Sequence, residues 1–190
     1  TMKSATCPLK KFPVVRVLDM DHRARAALEK LLAAGNRSAA GVTTRAPSIT
    51  ASLLSDYRKS PSLQSKEAFE TSMRDARAQG AIELVWDDFT EHGFIERIKL
   101  VDIGKLAEFL GQITAAGCLE SARILLEEHS GRYPVFGEVF QRWSQLKKVR
   151  GLGPEDALDW LDAARVVDYA RAKMEVEKVD MPLRIASARL

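Results

Sequence analysis

The chain has 190 residues, of which 46% are hydrophobic and 29% charged, the balance of a folded globular protein and not of a disordered one. Its cysteines, Cys7 and Cys118, lie outside any CxxC or Cys/His spacing, which argues against a disulfide framework or a zinc ribbon and for a reducing, cytoplasmic setting. Charged residues interrupt every apolar stretch short of the roughly 20 residues of a membrane span, so no membrane partner is expected, while the net charge of +3 conceals +7 over residues 1–60 and −4 over residues 61–110.

Residues 1–20 read as a basic N-terminal tail. Helical spacing of Ala24, Ala27, Leu28, Leu31 and Leu32 predicts a first helix over 21–34, stopped by Gly35-Asn36. A Ser/Thr/Gly/Pro stretch follows over 36–50, and Pro47 opens a short helix with Ile49, Leu53, Leu54 and Tyr57, closed by Pro61. Ser65 is the expected cap of a third helix over 65–79, with Phe69, Met73 and Ala76 inward and Glu67, Thr71, Arg74 and Ala78 outward.

The period then drops to two. Ile82, Leu84 and Trp86 alternate with Glu83, Val85 and Asp87, and after a turn at Thr90–Gly93, Ile98 and Leu100 alternate with Arg97, Lys99 and Val101, which predicts a β-hairpin. Asp102 caps an amphipathic helix carrying Ile103, Leu106, Phe109, Leu110 and Ile113. Three helices feeding a hairpin give the order of a winged helix-turn-helix over 21–116.

A helical domain over 117–178 is expected next, with helices over 119–129, 134–149 and 154 to about 173. Its expected core comprises Val135, Val139, Trp143 and Leu146 facing Leu158, Leu161, Ala164, Val166 and Val167. Residues 179–190 end as an apolar, extended segment, read as leading into a further domain that the chain lacks. The fold class is therefore mainly α with a β-hairpin: a winged helix followed by a helical arm.

Catalytic patterns are absent. Asp87-Asp88 with Glu91-His92, and Glu127-Glu128-His129, lack the i, i+4 ligand placement of a zinc helix. Gly151-Leu152-Gly153 follows a helix instead of a strand, so it reads as an interhelical joint and not a dinucleotide turn. No GxSxG or Walker sequence occurs. Basic side chains carry the remaining chemistry: Arg37, Arg45, Arg58 and Lys59 before the third helix, Lys66, Arg74 and Arg77 on it, and Arg97 and Lys99 on the hairpin. With one Arg and one Thr outward, this set suits duplex phosphates better than base edges. A further cluster, Arg142, Lys147, Lys148 and Arg150, is accounted for by a helix C-terminus, with a phosphate contact as the other reading.

The runs Gly131-Arg132-Tyr133-Pro134-Val135, Gln141-Arg142-Trp143, Lys147 to Leu152, Ala157 to Ala163 and Pro182 to Leu190 resemble the N-terminal half of JetD-type proteins. Weaker matches run from Ala46-Pro47 to Tyr57 and from Gly80 through Asp102. JetD-type proteins are nuclease subunits of the Wadjet anti-plasmid defence system. They cleave plasmid DNA sensed by a condensin-like SMC complex, and are related to the DNA-cleaving subunit of type IIB topoisomerases. Their acidic, magnesium-binding toprim domain lies toward the C-terminus, and nothing in this chain matches it. The resemblance thus implies a non-catalytic fragment without cofactor of its own, the magnesium belonging to the toprim domain. Its expected partners are double-stranded DNA, SMC-complex subunits and a second copy. The alternatives are a protein-interaction module for dimerisation or SMC docking, and a free-standing winged-helix transcription regulator.

Overall fold

Asp21 starts the first helix by accepting hydrogen bonds from the amides of Arg23 and Ala24. The computed structural model describes residues 20–60, 62–87 and 93–177. They fall into two units divided between Thr114 and Ala115. The expectations for the tail, for the turn residues 90–92 and for the terminal segment 179–190 lie outside the described residues. Seven α-helices and one three-stranded antiparallel sheet occur among those described. None of the helices is long and apolar enough to cross a membrane.

In the first unit, α1 (His22–Ala39) runs a turn beyond its expected end. Gly35 does not stop it: the glycine is buried inside the helix, at a close approach to Leu100 and Ile103. A β-carbon there would stand 2.5 Å from Leu100 Cδ2 and 3.1 Å from Ile103 Cδ1. The stretch expected to open a short helix begins as a strand, β1 (Ser48–Thr50), before a 3-10 turn (Ala51–Leu54) and α2 (Ser55–Arg58). Leu53, expected on the apolar face, is exposed.

Helix α3 (Leu63–Ala78) is capped by Ser62, whose hydroxyl accepts from the amide of Ser65, so the cap sits one turn earlier than expected. It ends at Gly80, whose φ of 72° lets the amides of Gly80 and Ala81 return to the carbonyls of Arg77 and Ala76. β2 (Ile82–Trp86) and β3 (Ile95–Leu100) then pair antiparallel, and β1 joins the other edge of β3, giving the order β1-β3-β2. A bulge between Val85 and Trp86 sets Trp86 against Ile95 and Leu84 against Ile98. Ile95 and Ile98 thereby both enter the core although they are not two apart in sequence. α4 (Ile103–Phe109), capped by Asp102, ends at Gly111 and leaves Ile113 exposed beyond it.

One core fills this unit, from Leu28, Leu31, Leu54, Tyr57, Phe69, Met73, Ile95, Ile98, Leu106 and Leu110. Inside it lies a polar knot. Tyr57, 1% exposed, donates through Oη to Glu70 Oε1 at 2.6 Å and accepts from the amide of Ile95 at 3.1 Å. Burial above all, and the Glu70 carboxylate next, hold the phenol well above its usual range.

The second unit is helical: α5 (Ala115–Ser130), α6 (Val135–Ser144), a 3-10 turn (Pro154–Asp156) and α7 (Ala157–Glu177). α6 stops five residues short of its expected end because Leu146 turns left-handed at φ 57°, and the amides of Leu146 and Lys147 bond back to Trp143 and Arg142. Leu146 is consequently exposed, as are Val135 and Leu158, which the sequence places in the core. Val139, Trp143, Leu161 and Ala164 are buried as expected, joined by Ala122, Leu126, Phe136 and Ala157.

Candidate nucleic-acid interface

The outward face of α3 is the one the helical period selects: Glu67, Thr71, Arg74 and Ala78 are exposed. Its cations, however, are engaged by the protein itself. The Lys66 ammonium donates to the Gly93 carbonyl at 2.9 Å, lies 3.6 Å from Glu70 Oε1 and sits 4.2 Å from the Phe94 ring centre. Arg74 reaches Glu70 Oε2 at 3.3 Å and covers the Trp86 ring at 5.3 Å. Glu70 is 6% exposed, so these two cations and Tyr57 together satisfy a carboxylate that burial would otherwise make costly. Arg77 is exposed in the last turn.

Arg58 is held likewise, 3.2 Å from Asp87 and over the Phe94 ring at 5.8 Å, and Lys99 lies 3.3 Å from Glu83 across the β2–β3 pair. Arg37, Arg45, Lys59 and Arg97 differ: they are exposed and form no ion pair among the described residues. Residues 30–55 contain Lys30, Arg37 and Arg45 and no carboxylate. The amides of Val42 and Thr43 bond back to the Arg37 carbonyl, so the loop carrying Arg45 folds against the end of α1. The Leu100 amide donates to the Pro47 carbonyl at 3.0 Å, and Thr50 pairs with Arg97. Arg37 thus lies near the end of α1, Arg45 in the loop that follows it, and Arg97 on β3 opposite the end of β1. Lys59 stands apart, just past α2.

No group of three or more His, Cys, Asp or Glu residues with metal-holding placement occurs among the described residues. Asp87 accepts from the Phe94 amide and pairs with Arg58; Asp88, Glu91 and His92 lie outside the described residues. Glu127 and Glu128 are exposed. Burial first, then Glu155 and Asp156, pushes the Cys118 thiol above its usual range.

A cluster that sequence reasoning missed joins α5 to α7. Asp168 Oδ1 accepts from Tyr133 Oη and Arg132 Nη1, both at 2.7 Å, and Oδ2 lies 3.4 Å from His129 Nδ1. Arg171 covers the Tyr133 ring at 5.4 Å. The hydrogen bonds from Tyr133 and Arg132 hold the Asp168 carboxyl below the usual carboxylate range. The separation of 35 residues between Tyr133 and Asp168 left no local pattern to read. The cluster fastens α7 to the end of α5 and the loop after it. With its folded-state pKa depressed, Asp168 stabilises above its unfolded pKa, and that stabilisation disappears as pH falls through the folded value. Asp168→Asn is expected to lower stability by about 1 kcal/mol at neutral pH by weakening the Tyr133 bond, with the gap to the parent closing at acid pH. Urea midpoints taken from neutral to acid pH check this; a constant gap would refute it.

Family models, curated proteins and solved structures give no match to the chain.

Proposed function

We propose that the first unit is a winged helix and that the chain holds duplex DNA by its phosphates, as the non-catalytic N-terminal part of a JetD-like nuclease working with a condensin-like SMC complex. The observation that carries the reading is topological. The element order α1-β1-α2-α3-β2-β3, with β1 paired to β3 in the sheet order β1-β3-β2, supports the winged-helix reading. The parentage rests on the residue runs around Tyr133, Trp143 and Trp160; Trp143 is buried in the second core, and Tyr133 and Trp160 pack against it.

The grip is electrostatic. On α3, Lys66 and Arg74 are tied to Glu70, while outward Glu67 repels phosphate, so base readout by that helix is weak. Arg37, Arg45 and Arg97 supply the attraction instead, with Lys59 as a separate cation. Each phosphate neutralised by a cation releases condensed counterions and contributes about 0.9 to the slope of log affinity against log salt. The variant R37Q/R45Q/R97Q is therefore expected to flatten that slope by about 2–3 on a random-sequence duplex. Gel-shift titration across a salt series tests it. A folded parent without salt-sensitive affinity at low ionic strength would end the DNA reading, and coding sequence past Leu190 lacking an acidic toprim region would end the parentage.

A second reading, docking onto a sister copy or an SMC subunit, is favoured by the exposed Ile124, Val135 and Leu158 of the second unit. Such docking persists in salt that abolishes phosphate contacts, and light scattering at high ionic strength separates the two readings.

A further inference from the structure

Residues 139–154 contain no carboxylate and four cations, Arg142, Lys147, Lys148 and Arg150. Their backbone is unusual. α3 and α4 end on Gly80 and Gly111 at positive φ, whereas α6 ends on Leu146 at φ 57°. Three residues after Leu146, Val149 and Leu152 exchange both backbone hydrogen bonds, at 2.9 and 3.0 Å, closing a tight turn. The two residues inside it, Arg150 and Gly151, have φ 53° and 84°. A turn with two left-handed residues favours Asn-Gly or Gly-Gly, so an arginine at the first position is unfavourable to the backbone.

The unfavourable conformation is fixed by packing. Trp143 Nε1 donates to the Leu152 carbonyl at 3.0 Å and fastens the turn to α6. Arg142 and Arg150 border one cavity of about 590 Å³, whose wall includes Trp160. Lys148 is paired with Glu155 at 3.1 Å, and Lys147 donates to Gln145 Oε1 at 2.9 Å. Arg142, Lys147 and Arg150 form no ion pair among the described residues. Glu138 and Asp159 border the same cavity, so an anion deep within it would meet both signs of charge. The turn at its rim, with Lys147 and Arg150 exposed, carries no carboxylate of its own.

A strained residue retained by its surroundings points to what its side chain does. We infer that Lys147 and Arg150, with Arg142, form a second contact for the phosphates of duplex DNA, on the helical unit. The inference rests on the DNA-binding reading and deepens it: the arm holds the duplex as well as the winged helix does.

The test uses the full chain, a fluorescent random-sequence duplex and a salt series read by anisotropy. Three variants enter: R142Q/K147Q/R150Q on the arm, Arg150→Asn alone, and R37Q/R45Q/R97Q on the first unit. The arm variant is expected to flatten the log–log slope by about 2–3. Arg150→Asn is expected to flatten it by about 1 while melting no lower than the parent, because asparagine accepts the left-handed conformation. A merely structural Arg150 would change the melt and leave the slope alone, which would overturn the inference. Unchanged slopes in both arm variants beside a flattened slope in the first-unit variant overturn the arm contact and leave the DNA reading standing. A flattened slope in the arm variants alone supports the arm contact and removes the first-unit assignment. A parent that binds no duplex overturns both.

Discussion

Trp143→Ala is expected to remove about 3–5 kcal/mol from the second unit, the range for deleting a buried large aromatic side chain, and so to abolish most of what a unit this small can hold. Trp143 is 2% exposed and lies among Phe140 and Trp160, with ring centres 6.0 and 6.2 Å away. Truncation leaves a cavity between α6 and its neighbours and cuts a side-chain tie from α6 to the 149–152 turn, the bond from Nε1 to the Leu152 carbonyl. Trp143→Phe should cost less, since it keeps most of the ring volume and loses the indole N–H. Amide hydrogen exchange across α5, α6 and α7 is the measure. Protection surviving Trp143→Ala in those helices would show that the core is not organised around this indole.

Tyr57→Phe is expected to destabilise the first unit by about 2–4 kcal/mol although a single oxygen is removed. The ring stays, stacked on Phe69 at 4.4 Å, so packing changes little. What is lost is the partner of the buried Ile95 amide and the hydrogen bond to Glu70 Oε1, which keeps the Lys66 ammonium 3.6 Å away. An orphaned buried donor costs about 1–3 kcal/mol, and loss of a hydrogen bond to a charged group adds to it. The alkaline side has a definite sign. The folded-state phenol pKa is raised, so its stabilisation is complete below the unfolded value of about 10 and is lost as pH rises beyond it. Tyr57→Phe should therefore be less stable than the parent at neutral pH and should also lack the parent's alkaline decline. Exchange protection of the β2 and β3 amides against pH tests both statements, and an equally steep decline in the variant would contradict the second.

The period of apolar residues made α1, α3, β2 and β3 legible, because each buries a face regular enough to read at 3.6 or 2 residues. β1 was illegible: it is three residues long, Ile49 is its only buried member, and its partner lies about 50 positions away at Ile98. The sequence extends α6 through Val149 and so places Leu146 in the core, whereas the left-handed Leu146 ends the helix at Ser144. The cations could be named from sequence, but not sorted. Glu70 sits at helical spacing from both Lys66 and Arg74 and reads as an ordinary solvated acid until the chain brings Tyr57 to it. That burial is what separates the engaged cations of α3 from Arg37, Arg45 and Arg97.

The two hydrophobic clusters have no residue in common, one built around Phe69 and Ile98, the other around Leu126 and Trp143. Each unit therefore carries an apolar core of its own, the basis from which a separate cooperative transition is expected. Two resolved midpoints in a melting curve, with substitutions in the two cores each moving only one of them, are the expected result.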